Sequence, residues 1–322
     1  MESDFLLQVA DLMGYIEPHH LKYGLYEARV NVQGARLESL TFDGREIIES
    51  AVIDGPFDAY WGDLLAPWPN RIADGSYAFG GKTYQLELNE LSRGNSLHGL
   101  VKRLEWSVES KNESSMTLTV SDPGVDGYPF ALDYRISYSL AADGMSILLE
   151  TKNISGKTAP FGASIHPYLI ADPRSTVNEW QLELPAEQYM NVDPKRLLPI
   201  GMDSVRTSAF DFRRIRTISD LFIDHAFRVK EDLDERVVRV VAPSGVGVAM
   251  HFDEESKWVQ IHTADRDGDP SGRKSLAVEP MSCPPDAFNN GMDLVLIKPG
   301  EKYSIGWRIE ALSSVKVGHQ PL

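Results

Sequence analysis

Short runs of alternating apolar and polar residues recur along most of the chain, divided by turn-forming residues. Tyr26–Asn31 and Ala35–Thr41 flank Gly34, and a second turn, Asp43-Gly44-Arg45, follows. Tyr77-Ala78-Phe79 and Thr83–Leu88 flank Gly80-Gly81, the pattern of a hairpin. Arg103–Ser110, Ser115–Val120, Ala131–Leu140 and Met145–Asn153 continue the series, divided by Lys111-Asn112-Glu113, Asp122-Pro123-Gly124 and Ala142-Asp143-Gly144. Glu179–Leu184, Ala226–Val229, Arg236–Ala242, Val246–Phe252, Trp258–Thr263, Ser275–Val278 and Tyr303–Leu312 carry it to the C-terminal end. A period of two sends successive side chains to opposite faces, so each run has one face to bury. Strands this short and numerous, spaced at about ten residues, predict an all-β protein. A large antiparallel β-sandwich suits their number better than a small closed barrel. Helix is expected only at Ile215–Phe222, where Ser219 and Asp220 are potential caps, and at Met1–Met13.

No composition break, Gly/Ser-rich linker or fixed-period repeat divides the chain, so residues 1–322 are expected to form one domain. Basic residues number 32 and acidic residues 47, a net charge of −15. That excess argues against a nucleic-acid or anionic-membrane partner and fits a small-molecule ligand. A single cysteine, Cys283, rules out an intrachain disulfide and suits a reducing compartment. The N-terminal MESDFLLQVADLMGYIE has acids where a signal peptide has bases, and no apolar run reaches the ~20 residues of a membrane helix. A cytoplasmic protein, monomeric or homodimeric, is expected.

The residues able to carry chemistry lie in five short stretches. Leu276-Ala277-Val278 delivers Glu279 to what should be the end of a strand, stopped by Pro280, with Pro284 and Pro285 keeping the next loop stiff and non-helical. A lone glutamate there more often pairs with a surface cation. Asn95–Gly99 sets His98 before a glycine that permits close backbone approach. Ser164–Tyr168 sets His166 before Pro167, which biases it toward extended geometry. Either histidine can instead be a packed structural one. Ala66–Asp74 presents Asn70 and Arg71 after Pro67 and Pro69; the guanidinium fork suits hydroxyls, or carbonyls that staple the loop. Ile223–Phe227 offers Asp224 and His225, of which alternation allows only one to enter a given cleft. Asp224 is the better hydroxyl acceptor, and an Asx turn is its ordinary alternative. Trp61, Trp68 and Tyr168 are able to stack on a sugar ring, though core packing is their default role. HxH and HExxH spacings are absent, as are GxGxxG at a strand–helix junction, a Walker loop and a GxSxG elbow. Neither a metal nor another cofactor is expected.

Taken together and in order, PNRIADGSYAFGGKTYQL, NSLHG, SIHPY, IDHAF and AVEP–PDAFN resemble the aldose 1-epimerase (galactose mutarotase-like) family over roughly residues 25–312. The resemblance implies a large antiparallel sandwich with a sugar cleft on one sheet, and cofactor-independent interconversion of sugar anomers. It also implies that Glu279 is the general base, His166 the general acid and His98 a second histidine near the ring oxygen. Arg71 and Asp224, with Asn70 beside them, would hold sugar hydroxyls. The chain departs from the common pattern at Leu169-Ile170, where Phe-Asn is usual, and at Met281, where Gln is usual. The form EPMSCPPDAF resembles a bacterial side branch associated with sulfo-sugars such as sulfoquinovose.

Mutarotation needs a base at the C1 hydroxyl and an acid at the ring oxygen, each typically worth about 10²–10⁴-fold. Burial should raise Glu279 above the ~4.3 reference, while a histidine near ~6.5 would be protonated often enough at neutrality. One alternative is a hexose-phosphate epimerase, which would need cations such as Arg71, Arg93 and Arg103 gathered at the cleft. Another is a carbohydrate-binding sandwich without catalysis.

Overall fold

Gly80 and Gly81 both take positive φ (57° and 76°), the turn geometry that matches strand twist, and join strands Ser76–Phe79 and Lys82–Gln85. Hairpins of this kind build the protein. The structure, a computed structural model, describes residues 16–51, 60–265 and 272–313. Among them the two largest sheets are antiparallel throughout. One is nine-stranded, in the order Ser107–Lys111, Ser115–Asp122, Leu132–Ala141, Gly144–Asn153, Lys302–Leu312, Gly247–Phe252, Val237–Val241, Gln181–Glu183, Arg216–Thr217. The other is six-stranded: Tyr168–Leu169, Leu276–Met281, Trp258–His262, Asp224–Val229, Ala186–Val192, Pro199–Ser204. A four-stranded meander covers His19 to Glu46.

The two large sheets share one core. Val278, Val259, Ile261 and Phe227 of the six-stranded sheet are fully buried with Val238, Val240, Ile147, Leu149 and Ile309 of the nine-stranded sheet. Each such side chain stabilises the fold by about 1.5–3 kcal/mol relative to exposure. Trp307 Nε1 donates to Pro280 O at 3.0 Å, tying one sheet to the other. The result is the expected all-β antiparallel sandwich.

Several local expectations are corrected. Ile215–Phe222 is not helical: Arg216–Thr217 joins the sheet edge, Ile218 N donates to Trp180 O, and Ser219 is left-handed at φ 59°. Full burial of Ile218 favours pairing with residues 178–182 over a local helix. Pro280 does not end its strand, which runs to Met281. Val278 N donates to Pro167 O and Ser282 N to Ala163 O, so by alternation the nitrogen of Pro280 faces that same side, away from Trp258–His262, and no ladder bond is lost. The loop after Pro285 closes into one helical turn, Ala287–Asn290. Arg103–Ser110 splits into a 3₁₀ turn, Val101–Arg103, and the strand Ser107–Lys111. The segment Met1–Met13 lies outside the described residues.

Candidate active site

Strand register assembles the site. Across the six-stranded sheet Asp224 pairs with His262, Gln260 with Glu279 and His262 with Ala277. Paired residues share a face, so Asp224, Gln260, His262 and Glu279 stand together on the face opposite the core residues Phe227, Val259, Ile261 and Val278. His225 points the other way, its ring 4.8 Å from Phe210 and 5.8 Å from Tyr189. This is the outcome alternation predicts for the Asp224-His225 pair. Gln260 Nε2 donates to Asp224 Oδ1 at 2.6 Å, fixing that carboxylate.

Connecting segments bring the histidines over this face. His166 N donates to Asp63 O and His166 O accepts from Gly62 N, both at 3.0 Å. His166 Nε2 then lies 3.2 Å from Glu279 Oε1, with both side chains buried. His98 is gripped by Asn70: Asn70 O accepts from His98 N at 2.9 Å, and Asn70 N donates to His98 Nδ1 at 3.1 Å. Asn70 and His98 are both left-handed (φ 56° and 62°), a strained pairing held by these two bonds. The His98 and His166 rings meet edge-on with centroids 5.2 Å apart, and Tyr60 lies 4.5 Å from His98. On the flank of the site Trp61, Tyr168, Ala264 and Ala277 form a small apolar cluster.

Gly99 shows why NSLHG needs its glycine. Its φ is 72°, and an added Cβ would stand 2.1 Å from Ala66 O, which itself accepts from Leu100 N and Val101 N. Gly99→Ala is therefore expected to lose about 1–3 kcal/mol from backbone strain alone, plus the displacement of Ala66. Chemical denaturation measures this; an unchanged midpoint would contradict the account of the turn.

Arg71 enters from the strand Arg71–Ala73. Its Nε and Nη2 both donate to Glu90, at 2.9 Å each, and Nη1 lies 3.4 Å from Asn70 Oδ1. Arg93 also pairs with Glu90, and Arg103 with Glu87. The three arginines considered for a phosphate are thus each engaged by a carboxylate: Arg71 and Arg93 share Glu90, and Arg103 pairs with Glu87.

Electrostatics divide the expected acid from the expected base. Burial raises Glu279 well above the ordinary carboxylate value, reinforced by the Asp224 charge and opposed by Arg71. Burial lowers His166 to about 3, with His262 adding to the effect. Burial likewise holds His98 well below the ordinary histidine value. The rise at Glu279 was foreseen. A histidine readily protonated at neutrality was not found, because desolvation outweighs the nearby carboxylates.

Donor atoms of His98, His166 and Glu279 lie within 4.8 Å of one another, a grouping that spacing in sequence did not suggest. Their chemistry fits a metal ion poorly. His98 Nδ1 has its lone pair engaged by the Asn70 amide, which puts the ring proton on Nε2. Neither nitrogen then offers an open lone pair, and His98 is instead an N–H donor.

All six residues expected to act together are gathered around this face: Glu279 and His166 in contact, His98 beside them, Asn70 bonded to His98, and Arg71 and Asp224 close enough to bias Glu279. Gln260, His262 and Glu90 were not foreseen. Alternation within Trp258–Thr263 carried a signal for the first two, since Val259 and Ile261 claim the core face.

Fold and site together define a class: a large antiparallel sandwich that holds a buried carboxyl–imidazole pair on one sheet face. Comparison with known proteins narrows it. The aldose 1-epimerase family pattern matches residues 19–310. The chain is 37% identical to the uncharacterised protein YihR of Escherichia coli over 290 residues, 90% of this chain and 91% of that one. It is 28% identical to galactose mutarotase of Bos taurus, covering 76% of each chain. A galactose mutarotase-like protein from Clostridium acetobutylicum has the same fold, with a TM-score of 0.81 at 19% identity over 92% of this chain and 95% of that one. The chain belongs to the aldose 1-epimerase family.

Proposed function

We propose that this chain is an aldose 1-epimerase that interconverts the α and β anomers of a sugar by acid–base ring opening and reclosure, without a cofactor. The whole chain acts as one domain, in the cytoplasm. Glu279 takes the proton of the C1 hydroxyl, His166 supplies one to the ring oxygen, and His98 Nε2–H donates to the same region. Arg71 and Asp224 hold hydroxyls, with Asn70 fixing His98. The observation that carries this reading is the buried approach of His166 Nε2 to Glu279 Oε1 at 3.2 Å. The two oxygens that exchange protons in ring opening are both bonded to C1, so they match a donor–acceptor pair this close. Glu279 Oε2, Gln260 Oε1 and His262 Nδ1 are buried and have no hydrogen-bond partner among the described residues. Unmet buried polar atoms on one face suit a polyhydroxylated ligand.

The pair works with one shared proton. Carboxylic acid with neutral imidazole, and carboxylate with imidazolium, contain the same number of protons, so bulk pH does not choose between them. Hydrogen bonds from the sugar to Glu279 favour the carboxylate and move the proton to His166. Once the C1 hydroxyl gives up its proton and the ring oxygen gains one, the aldehyde turns about C1–C2 and is attacked on its other face. The reverse transfers restore the pair.

One change beside the site favours a sugar other than plain galactose. Met281, where Gln is usual, is fully buried with Trp258, Met190 and Ala226 and offers no hydrogen bond. The segment Glu279–Phe288 resembles the sulfo-sugar branch, so a 6-sulfo-aldose such as sulfoquinovose is the proposed substrate. With Arg71 and Arg93 engaged by Glu90 and Arg103 by Glu87, a singly charged sulfonate is easier to accommodate than a phosphate of nearly two negative charges. Anomer exchange measured by NMR on sulfoquinovose, glucose, galactose and glucose 6-phosphate tests this. Fastest exchange is expected for the sulfo-sugar and slowest for the phosphate; preference for the phosphate would overturn the substrate assignment. His98→Asn should slow exchange about 10–100-fold, less than loss of either proton-transfer group, because it removes one hydrogen bond. A loss as large as that of Glu279→Gln would give His98 a proton-transfer role instead.

A further inference from the structure

We propose that Glu90 is the positioning residue for Arg71, and that it sets sugar affinity rather than the rate of proton transfer. This rests on the aldose 1-epimerase reading above. Glu90 accepts four hydrogen bonds: Arg71 Nε and Nη2 at 2.9 Å each, Arg93 Nη1 at 3.0 Å and Asn95 Nδ2 at 2.8 Å. Its side chain is only 9% exposed and that of Arg71 only 11%. The Arg71 contact is bidentate, with one edge of the guanidinium fork bonded to both carboxylate oxygens, which fixes the plane of the fork as well as its position. The remaining edge, carrying Nη1, is left for a ligand beside Asn70.

The local chain is built to hold Glu90 there. Glu90 N donates to Asn95 O and Asn95 N to Glu90 O, closing a small loop against strand Asn95–Leu97. That strand pairs with Arg71–Ala73, Arg71 opposite Leu97. The carboxylate and the guanidinium are thus carried by neighbouring backbone. Burial pushes Glu90 up, but the Arg71 bonds and charge outweigh it and keep the carboxylate ionised.

Removing that charge has a specific consequence. A guanidinium this buried seeks another carboxylate, and the other two that act on Arg71 are Asp224 and Glu279. Arg71 would then compete with the sugar for its own site. Each Glu90 oxygen accepts from two donors, one of them on Arg71, so in Glu90→Gln the NH₂ loses one edge contact to Arg71 whichever way the amide turns, while size is kept.

The test is a cycle of wild type, Glu90→Gln, Arg71→Ala and the double variant, with KM and kcat for anomer exchange and melting temperature measured for each. Glu90→Gln is expected to raise KM about 10–100-fold and change kcat less than about threefold. In the Arg71→Ala background the same change should add nothing, because Glu90 acts through Arg71. A wild-type KM in Glu90→Gln, a fall in kcat as large as the rise in KM, or penalties that add in the double variant would overturn the proposal. Should Glu90→Gln fail to fold, Glu90→Asp serves: it keeps the charge with shorter reach, and an unchanged KM there would count against the assignment. Absence of exchange by the wild-type protein on every sugar would refute the epimerase reading itself, which separates the two failures.

Discussion

Glu279→Gln is expected to lower the exchange rate by about 10³-fold or more while leaving the fold intact. Glutamine fills the same volume and keeps a hydrogen-bonding group at 3.2 Å from His166 Nε2, but it takes up no proton at neutral pH. Stability should hold or rise, since burial opposes ionisation of this carboxyl and the amide carries no charge to desolvate. Inversion-transfer NMR measures the rate and thermal unfolding checks the fold. Wild-type exchange in a folded variant would remove Glu279 from the chemistry.

His166→Asn should cost about 10²–10⁴-fold, close to the loss at Glu279, because each member of the pair is useless without the other. Adding Glu279→Gln to His166→Asn should then cost little more, as expected for groups that act as a unit. The pH profile of kcat/KM carries the matching signature. With the pair holding one shared proton, activity falls on the acid side only where a second proton is added, near the His166 value of about 3. On the alkaline side it falls where the shared proton is lost, which burial of Glu279 places well above the usual carboxylate range. The rate should be flat between. An inflection at the ordinary histidine value would mean that an independent, solvated imidazole supplies the acid.

How far residues alone reveal such a site depends on what fixes each group. Alternation placed Asp224 and His225 on opposite faces, and the fold agrees, because a buried face admits no slip in register. The glycine after His98 announced a close backbone approach, and Ala66 O is the group that approaches. Pro280 misled, because a proline is tolerated inside a strand when its nitrogen faces away from the ladder, and that direction is set by Pro167 and Ala163, over a hundred residues distant in the chain. Ile215–Phe222 misled for a related reason: possible caps at Ser219 and Asp220 lost to the burial of Ile218. The low proton affinity of His166 was hidden too, since desolvation is a property of the assembled site. Glu90 gave no signal, because its role exists only once Arg71 and Asn95 are brought beside it.

The most direct measurement pairs two readings on one sample of the wild-type protein: saturation of sugar binding by calorimetry, and the rate of anomer exchange by NMR on sulfoquinovose, glucose and galactose. Exchange well above the spontaneous rate is expected for at least one of these sugars, rising over the same concentration range as binding. Saturable binding with exchange no faster than in buffer would contradict it, and would mark the protein as a sugar binder without chemistry.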